Sequence, residues 1–223
     1  MNYRISLFLL LLLGIGCKVD DSAKVSYSQS EMSITPITPI TPSATDNALN
    51  KYFSSQETAA ILGIKEVFDK GLKGKSKDRT VSYYYEDHAQ RMRMDYFNKF
   101  PYTLNYPYND KFDLRNVTGE VPQLSFLTKK CGFQNKDQEV VNYYCFKKES
   151  RFMEFLQLLG KDNTFIASLH EDYVNQMHIT QQIKQHLLMN SQEGLDFQQI
   201  EHQVIYMFYQ ILINEERLAA NKI

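Results

Sequence analysis

The sequence predicts an all-α domain, a bundle of five or six helices, behind a signal peptide and a Pro/Thr-rich tether. Three observations carry that prediction. A short apolar leader with a basic start ends at Cys17. A stretch rich in Ser, Thr and Pro follows it to about residue 53. From residue 54 onward, apolar side chains recur mainly at three- and four-residue spacing, the period of a helix with one buried face. The organisation expected is a leader over 1–16, Cys17 and a flexible tether over 17–53, and a helical domain over 54–223.

In the leader, Arg4 precedes the apolar run Ile5–Leu13, broken only by Ser6, and Gly14, Ile15 and Gly16 lead to Cys17. A basic start, a short apolar core and small residues before a cut form a secretory signal. The run is too short for a bilayer span, which takes about 20 apolar residues. Small residues followed by Cys17 resemble the lipobox of bacterial lipoproteins. Gly14 stands where most lipoboxes carry Leu, a relaxed form familiar among spirochaetal lipoproteins. The resemblance implies that Cys17 is lipidated, becomes the new N-terminus and attaches the chain to a membrane. Lys18 is then compatible with the outer membrane, and Asp20 and Asp21 resemble surface-export signals of some Bacteroidetes lipoproteins. Without the resemblance, the reading is an ordinary signal peptide with an incidental Cys.

The net charge of −1 gives no electrostatic reason to expect nucleic acid or an acidic membrane surface as partner. The chain has 15 Tyr, 14 Phe and no Trp, and 3 Cys. With Cys17 carrying lipid, Cys131 and Cys145 remain as a pair, and an exported chain meets an oxidising compartment, so a disulfide is expected. Two separate buried thiols are the alternative. In the tether, Ile34-Thr35-Pro36 repeats as Ile37-Thr38-Pro39 and Ile40-Thr41-Pro42. Each Pro fixes its own φ and pushes the residue before it away from helix. At about 3.1 Å per residue the repeats would span roughly 28 Å as a semi-stiff spacer.

Order is expected to begin at Ser54, which with Glu57 matches a capping box. Ala60, Ile61, Ile64, Val67, Phe68 and Leu72 make the first stripe, and Gly71 and Gly74 mark its end. Residues 73–79 read as a solvated basic loop. A second helix over about 81–100 carries Tyr85, Ala89, Met92, Tyr96 and Phe100 on one stripe and stops at Pro101. Residues 101–122 have no clear period and read as a long irregular loop. Residues 123–130 read as a short helix, and 138–159 as a long one with Gly160 beyond its end. The segment 140–146 is rich in strand formers, so a strand hairpin turning near Gln138, which also brings the two cysteines together, stays open beside the helices. Asn163 caps a further helix with Ile166, Leu169, Tyr173, Val174 and Met177 on its stripe. It continues, slightly rotated, through Ile179, Ile183 and Leu187, with a kink near His178. Residues 190–194 read as a loop. The last helix begins near Asp196, and its segment 204–213 is apolar nearly all round, as suits the centre of a bundle.

Catalytic and metal motifs are absent from the sequence: no His-Glu-x-x-His, Cys-x-x-Cys, Gly-x-Ser-x-Gly or Gly-rich phosphate loop occurs. His170, His178 and His186 are spaced by eight, which turns each about 80° from the last on a helix and leaves the outer two facing different ways. Glu86, Asp87, His88, Glu171 and Asp172 are the acid–base candidates, with solvated helix faces as the plainer account. The expectation is no enzyme, no cofactor and no metal. Tyr102, Tyr106 and Tyr108 are the candidate partner-binding residues, because tyrosines bury large area at low entropy cost; packing of the loop onto the bundle is the alternative. The layout resembles helical outer-surface lipoproteins of spirochaetes, many of which bind host proteins. That resemblance implies a lipid-anchored outer-membrane lipoprotein, exposed at the cell surface and binding a protein partner, with a periplasm-facing envelope-assembly or immunity lipoprotein as the alternative.

Overall fold

In the computed structural model of the chain, the structure describes residues 48–74, 78–99, 124–134 and 138–220. Among them are six α-helices and one two-stranded sheet. The helices are α1 (Ser55–Lys73), α2 (Val81–Lys99), α3 (Arg151–Leu159), α4 (Thr164–Gln176), α5 (Gln181–Gly194) and α6 (Ile200–Ala220), and the strands are β1 (Leu127–Gln134) and β2 (Val140–Phe146). The protein is therefore mostly helical, but it is not all-α.

The packed region starts earlier than Ser54. A short 3-10 helix, Ala48–Lys51, buries Leu49 completely, and Phe53 follows it into the core. Two apolar residues in a polar stretch give no period, so the sequence pattern places them in the tether. At Ser54 the capping box is complete: its Oγ accepts from Glu57 N, and the Glu57 carboxylate accepts from Ser54 N at 3.1 Å. Ile61, Ile64, Phe68 and Leu72 form the buried stripe of α1, and Gly74 closes the helix with φ 55, a left-handed conformation suited to glycine. Gly71 lies inside the helix. Tyr85, Ala89, Met92 and Tyr96 are the buried stripe of α2. Phe100 lies outside the described residues.

Over 123–130 and 138–159 the chain forms not two helices but the alternative strand hairpin, followed by a shorter helix. Leu127 pairs with Phe146 and Thr128 with Cys145. Cys131 then pairs with Tyr143, so β1 carries one extra residue between Thr128 and Cys131, a β-bulge. Gln138, with φ 64, sits in the left-handed region just before β2. Val140, Val141, Tyr143, Tyr144 and Phe146 favour a pleated surface over a helix, and helix formation from 151 onward does not propagate back through them. Lys147 N donates to Phe126 O at 2.8 Å, and Ser150 caps α3 by accepting from Met153 N. Phe146 thereby lands on Phe152, ring on ring, with centroids 4.3 Å apart and planes 12° from parallel.

Two further differences lie in the second half. The helix capped by Asn163 does not kink but ends at Gln176, and Thr180 caps a new helix. Met177, expected on the buried stripe, takes φ 58 at the break and is 57% exposed. Conversely, 190–194 is not a loop: α5 runs through Gly194. A Cβ there would lie 2.3 Å from the Phe165 ring, so the residue must be glycine for α5 to pack on α4. Residues 196–199 form a turn before α6. Along Val204–Ile213 every residue of α6 is buried, as its all-round apolar surface predicts.

The aromatic heart of the fold is Phe152. Its ring contacts Phe126 at 5.2 Å, Phe146, Phe155 at 5.6 Å and Phe208 at 5.4 Å. Phe152→Ala removes the ring that joins α3, the hairpin and α6. The expected cost is about 3–5 kcal/mol, measured by urea unfolding, and a loss under about 1 kcal/mol would contradict this packing.

Candidate functional site

Cys17, Tyr102, Tyr106 and Tyr108 lie outside the described residues. Cys131 and Cys145 do not: a disulfide joins them across the hairpin, with Cα atoms 5.9 Å apart. The bond spans the bulge, linking Cys145 to the residue just beyond the register shift. It therefore pins the one place where strand register is ambiguous.

Beside this disulfide is a groove of about 460 Å³ between β1, the α4–α5 break and the end of α6. Lys130, Phe133, Tyr143, Met177, His178 and Glu216 line it. Glu216 accepts from Lys184 Nζ at 2.8 Å, a pair that ties α6 to α5 and is mostly shielded from solvent. Burial, and then the Glu216 charge, push the Tyr143 hydroxyl up to about 12, so it stays protonated and can donate. The His178 imidazole holds the Gln176 carbonyl through Nδ1 at 2.8 Å. Met177 and Val140 are the two most exposed large apolar side chains among the described residues, at 57% and 61%. Sequence periodicity missed Met177 because its spacing matches the helical stripe. The signal against it was Thr180, a good cap three residues later.

Three polar constellations show triad-like or acid–base spacing, and each has a structural account. In the first, Ser168 Oγ lies 2.8 Å from His186 Nε2, and His186 Nδ1 lies 3.1 Å from Asn190 Nδ2. The Ser168 hydroxyl also donates to Phe165 O at 2.8 Å. A carbonyl can only accept, so the single hydroxyl proton is taken, and Nε2–H of the imidazole donates to Oγ. Nδ1 is then bare and accepts from the Asn190 amide. This is the reverse of the proton arrangement a serine nucleophile needs. The ring is stacked on Phe165 at 4.6 Å, and the network locks α5 to α4.

The second is Glu57. Its carboxylate takes hydrogen bonds from Ser54 and from the Ser125 hydroxyl, and Arg151 lies 3.5 Å away. Burial disfavours its charge, but the bonds from Ser125 and Ser54 outweigh that and hold the carboxyl below its usual range. One side chain thus caps α1 and fastens it to the turn before β1.

The third is His88, whose Nδ1 meets Tyr206 Oη at 2.8 Å in the core. Burial, with a smaller push from the Arg91 charge, lowers it from 6.5 to about 3. The acid–base candidates do not share a cleft: His88 is buried, Asp87 pairs with Arg91 at the surface of α2, and Glu171 is exposed on α4. His170 is likewise lowered, by burial. Among the described residues no group of three His, Cys, Asp or Glu is placed to hold a metal ion, and no helix is long and apolar enough to cross a membrane.

Compared with known proteins, the chain matches no family model, no curated protein and no solved structure. The class that fold and site define is a mostly helical domain with a disulfide-stapled hairpin and structurally engaged polar groups.

Two outcomes follow from this geometry. Reduction of the Cys131–Cys145 bond releases a loop of about 15 residues and is expected to cost about 3 kcal/mol. Thermal unfolding with and without dithiothreitol measures it, and an unchanged melting temperature would count against a stabilising bond. His88 is neutral when folded but protonates near 6.5 when unfolded. Its contribution is whole above pH 6.5 and is lost as pH falls from there toward 3, at up to about 1.4 kcal/mol per pH unit. Urea unfolding of His88→Gln beside the parent, from about pH 7 to pH 4.5, should show a shallower acid slope in the variant; equal slopes would refute the assignment.

Proposed function

We propose that this protein is a bacterial lipoprotein, anchored in the outer membrane through lipid on Cys17, displayed at the cell surface, and acting by binding a protein partner. The observation that carries the reading is the leader, in which an apolar run closes on small residues and Cys17. Two others support it. The domain's remaining cysteines are joined in a disulfide, which suits an oxidising compartment. The three Ile-Thr-Pro repeats suit a spacer that holds a domain away from its anchor.

The way the polar groups are used supports a reading of binding rather than turnover. Ser168, His186, Glu57 and His88 are each committed to joining elements of the fold. The groove beside the disulfide, with Met177 exposed in its wall, offers apolar contact, and Tyr102, Tyr106 and Tyr108 are the second proposed contact set. Protease shaving of intact cells, followed by immunoblotting, tests the placement. Loss of the domain while a periplasmic control survives is the expected result. Protection until the outer membrane is opened would overturn surface display and leave the periplasm-facing reading.

A further inference from the structure

The end of α1 and the start of α2 enclose a cleft of about 200 Å³ that the partner reading does not use. Its wall is mainly apolar, formed by Leu72, Val81, Tyr84 and Tyr85. The two tyrosines are buried and held in place. Tyr85 Oη donates to Asp69 Oδ1 at 2.8 Å, and Tyr84 Oη accepts from Arg79 N at 3.3 Å.

Charge at the rim is unbalanced. Asp69 is paired with Lys65 at 2.6 Å, and Glu66 with Lys70 at 2.7 Å. Lys73 and Arg79 also line the cleft, both are exposed, and neither has a carboxylate partner among the described residues. A lysine in the last turn of α1 has a helix-stabilising role of its own, because cations suit a helix C-terminus. Arg79 does not. It stands just before α2, where the positive end of the helix dipole disfavours a cation, and its guanidinium lies 5.3 Å over the exposed Tyr83 ring.

Size narrows the occupant. A cavity of about 150 Å³ accepts benzene, and drug-sized ligands take about 300–1,000 Å³. This cleft therefore fits one ring or one short branched chain. A stable protein interface buries about 1,200–2,000 Å², whereas the large apolar side chains exposed beside the cleft are Val81 and Tyr83.

We propose that the cleft binds a free small amphipathic anion, an aromatic or short-alkyl group bearing a carboxylate or phosphate. Its apolar end lies against Val81 and Tyr84, and its anionic end lies between Lys73 and Arg79. This site is independent of lipidation and of any protein partner.

Ligand-observed NMR line broadening with the full chain tests it, using phenyl phosphate and phenylacetate as probes. Benzyl alcohol and inorganic phosphate supply each half of the chemistry alone. Both amphipathic anions should bind and compete, each half should bind at least tenfold more weakly, and Lys73→Gln with Arg79→Gln should weaken binding at least tenfold in a protein that still unfolds cooperatively. Val81→Glu is the second variant. It puts a like charge at the mouth, at a helix start that tolerates carboxylates, and the same loss is expected. No binding at millimolar probe, equal binding of inorganic phosphate and phenyl phosphate, or full binding by either folded variant would overturn the proposal.

Discussion

A helix that is apolar on every side has to be enclosed, and α6 imposes that requirement on the rest of this fold. From Val204 to Ile213 no face of it is solvated, so neighbours must cover the whole circumference. Four large aromatics or tyrosines do much of the filling: Tyr206, Phe208 and Tyr209 on α6 itself, and Phe152 from α3. Burying a tyrosine requires a partner for its hydroxyl. Tyr206 finds His88 on α2, and Tyr209 donates to Leu169 O on α4 at 3.3 Å. These bonds say where α2 and α4 must lie, so the central helix sets the orientation of its neighbours as well as their number.

The hairpin is the part of the enclosure that helices do not supply. Phe146 at the end of β2 stacks on Phe152 and also meets Tyr173 and Tyr209 edge-on, at 5.3 and 5.4 Å. Tyr173 in turn donates to Phe146 O at 2.9 Å. One residue therefore fixes both the strand end and the entry into α3. A two-stranded hairpin is marginal by itself in water; here its inner end is held by the core and its bulge by the disulfide. That division explains why β1 has few buried side chains toward its outer end yet keeps a defined register.

What was legible in the sequence was what is decided locally. Ser54 with Glu57, and Asn163, cap helices through their own backbone neighbours, so pattern alone finds them. The all-round apolar run of α6 is equally local. The hairpin is legible only as an alternative, because Val140–Phe146 is ambiguous between helix and strand until a partner strand is present, and the helical strength of Arg151–Leu159 favours carrying a helix across the boundary. Met177 and Gly194 fail for a related reason. Met177 keeps helical spacing but sits at a break that Thr180 caps, and Gly194 reads as a loop residue although Phe165 on another helix is what demands it. Leu49 and Phe53 show the same limit at the domain edge: isolated apolar residues become core only through distant contacts. Of the proposed sites, the disulfide pair is legible by counting, while the α1–α2 cleft is not, because it exists only where the end of one helix meets the start of the next.

The way polar groups are used argues about where function can sit. Ser168 and His186, Glu57, His88 and the Lys184–Glu216 pair each bond one element to another, so freeing any of them for chemistry would loosen a seam of the fold. Lys73 and Arg79 differ in kind. No structural bond among the described residues engages their charges with an anion, and Arg79 stands where the helix dipole opposes it. Arg79 has the Tyr83 ring beneath it and Lys73 suits the end of α1, but both charges remain open to an anion. The rigid tyrosine wall beneath those cations matters for the same reason, since a site that is already shaped loses little entropy when it is filled.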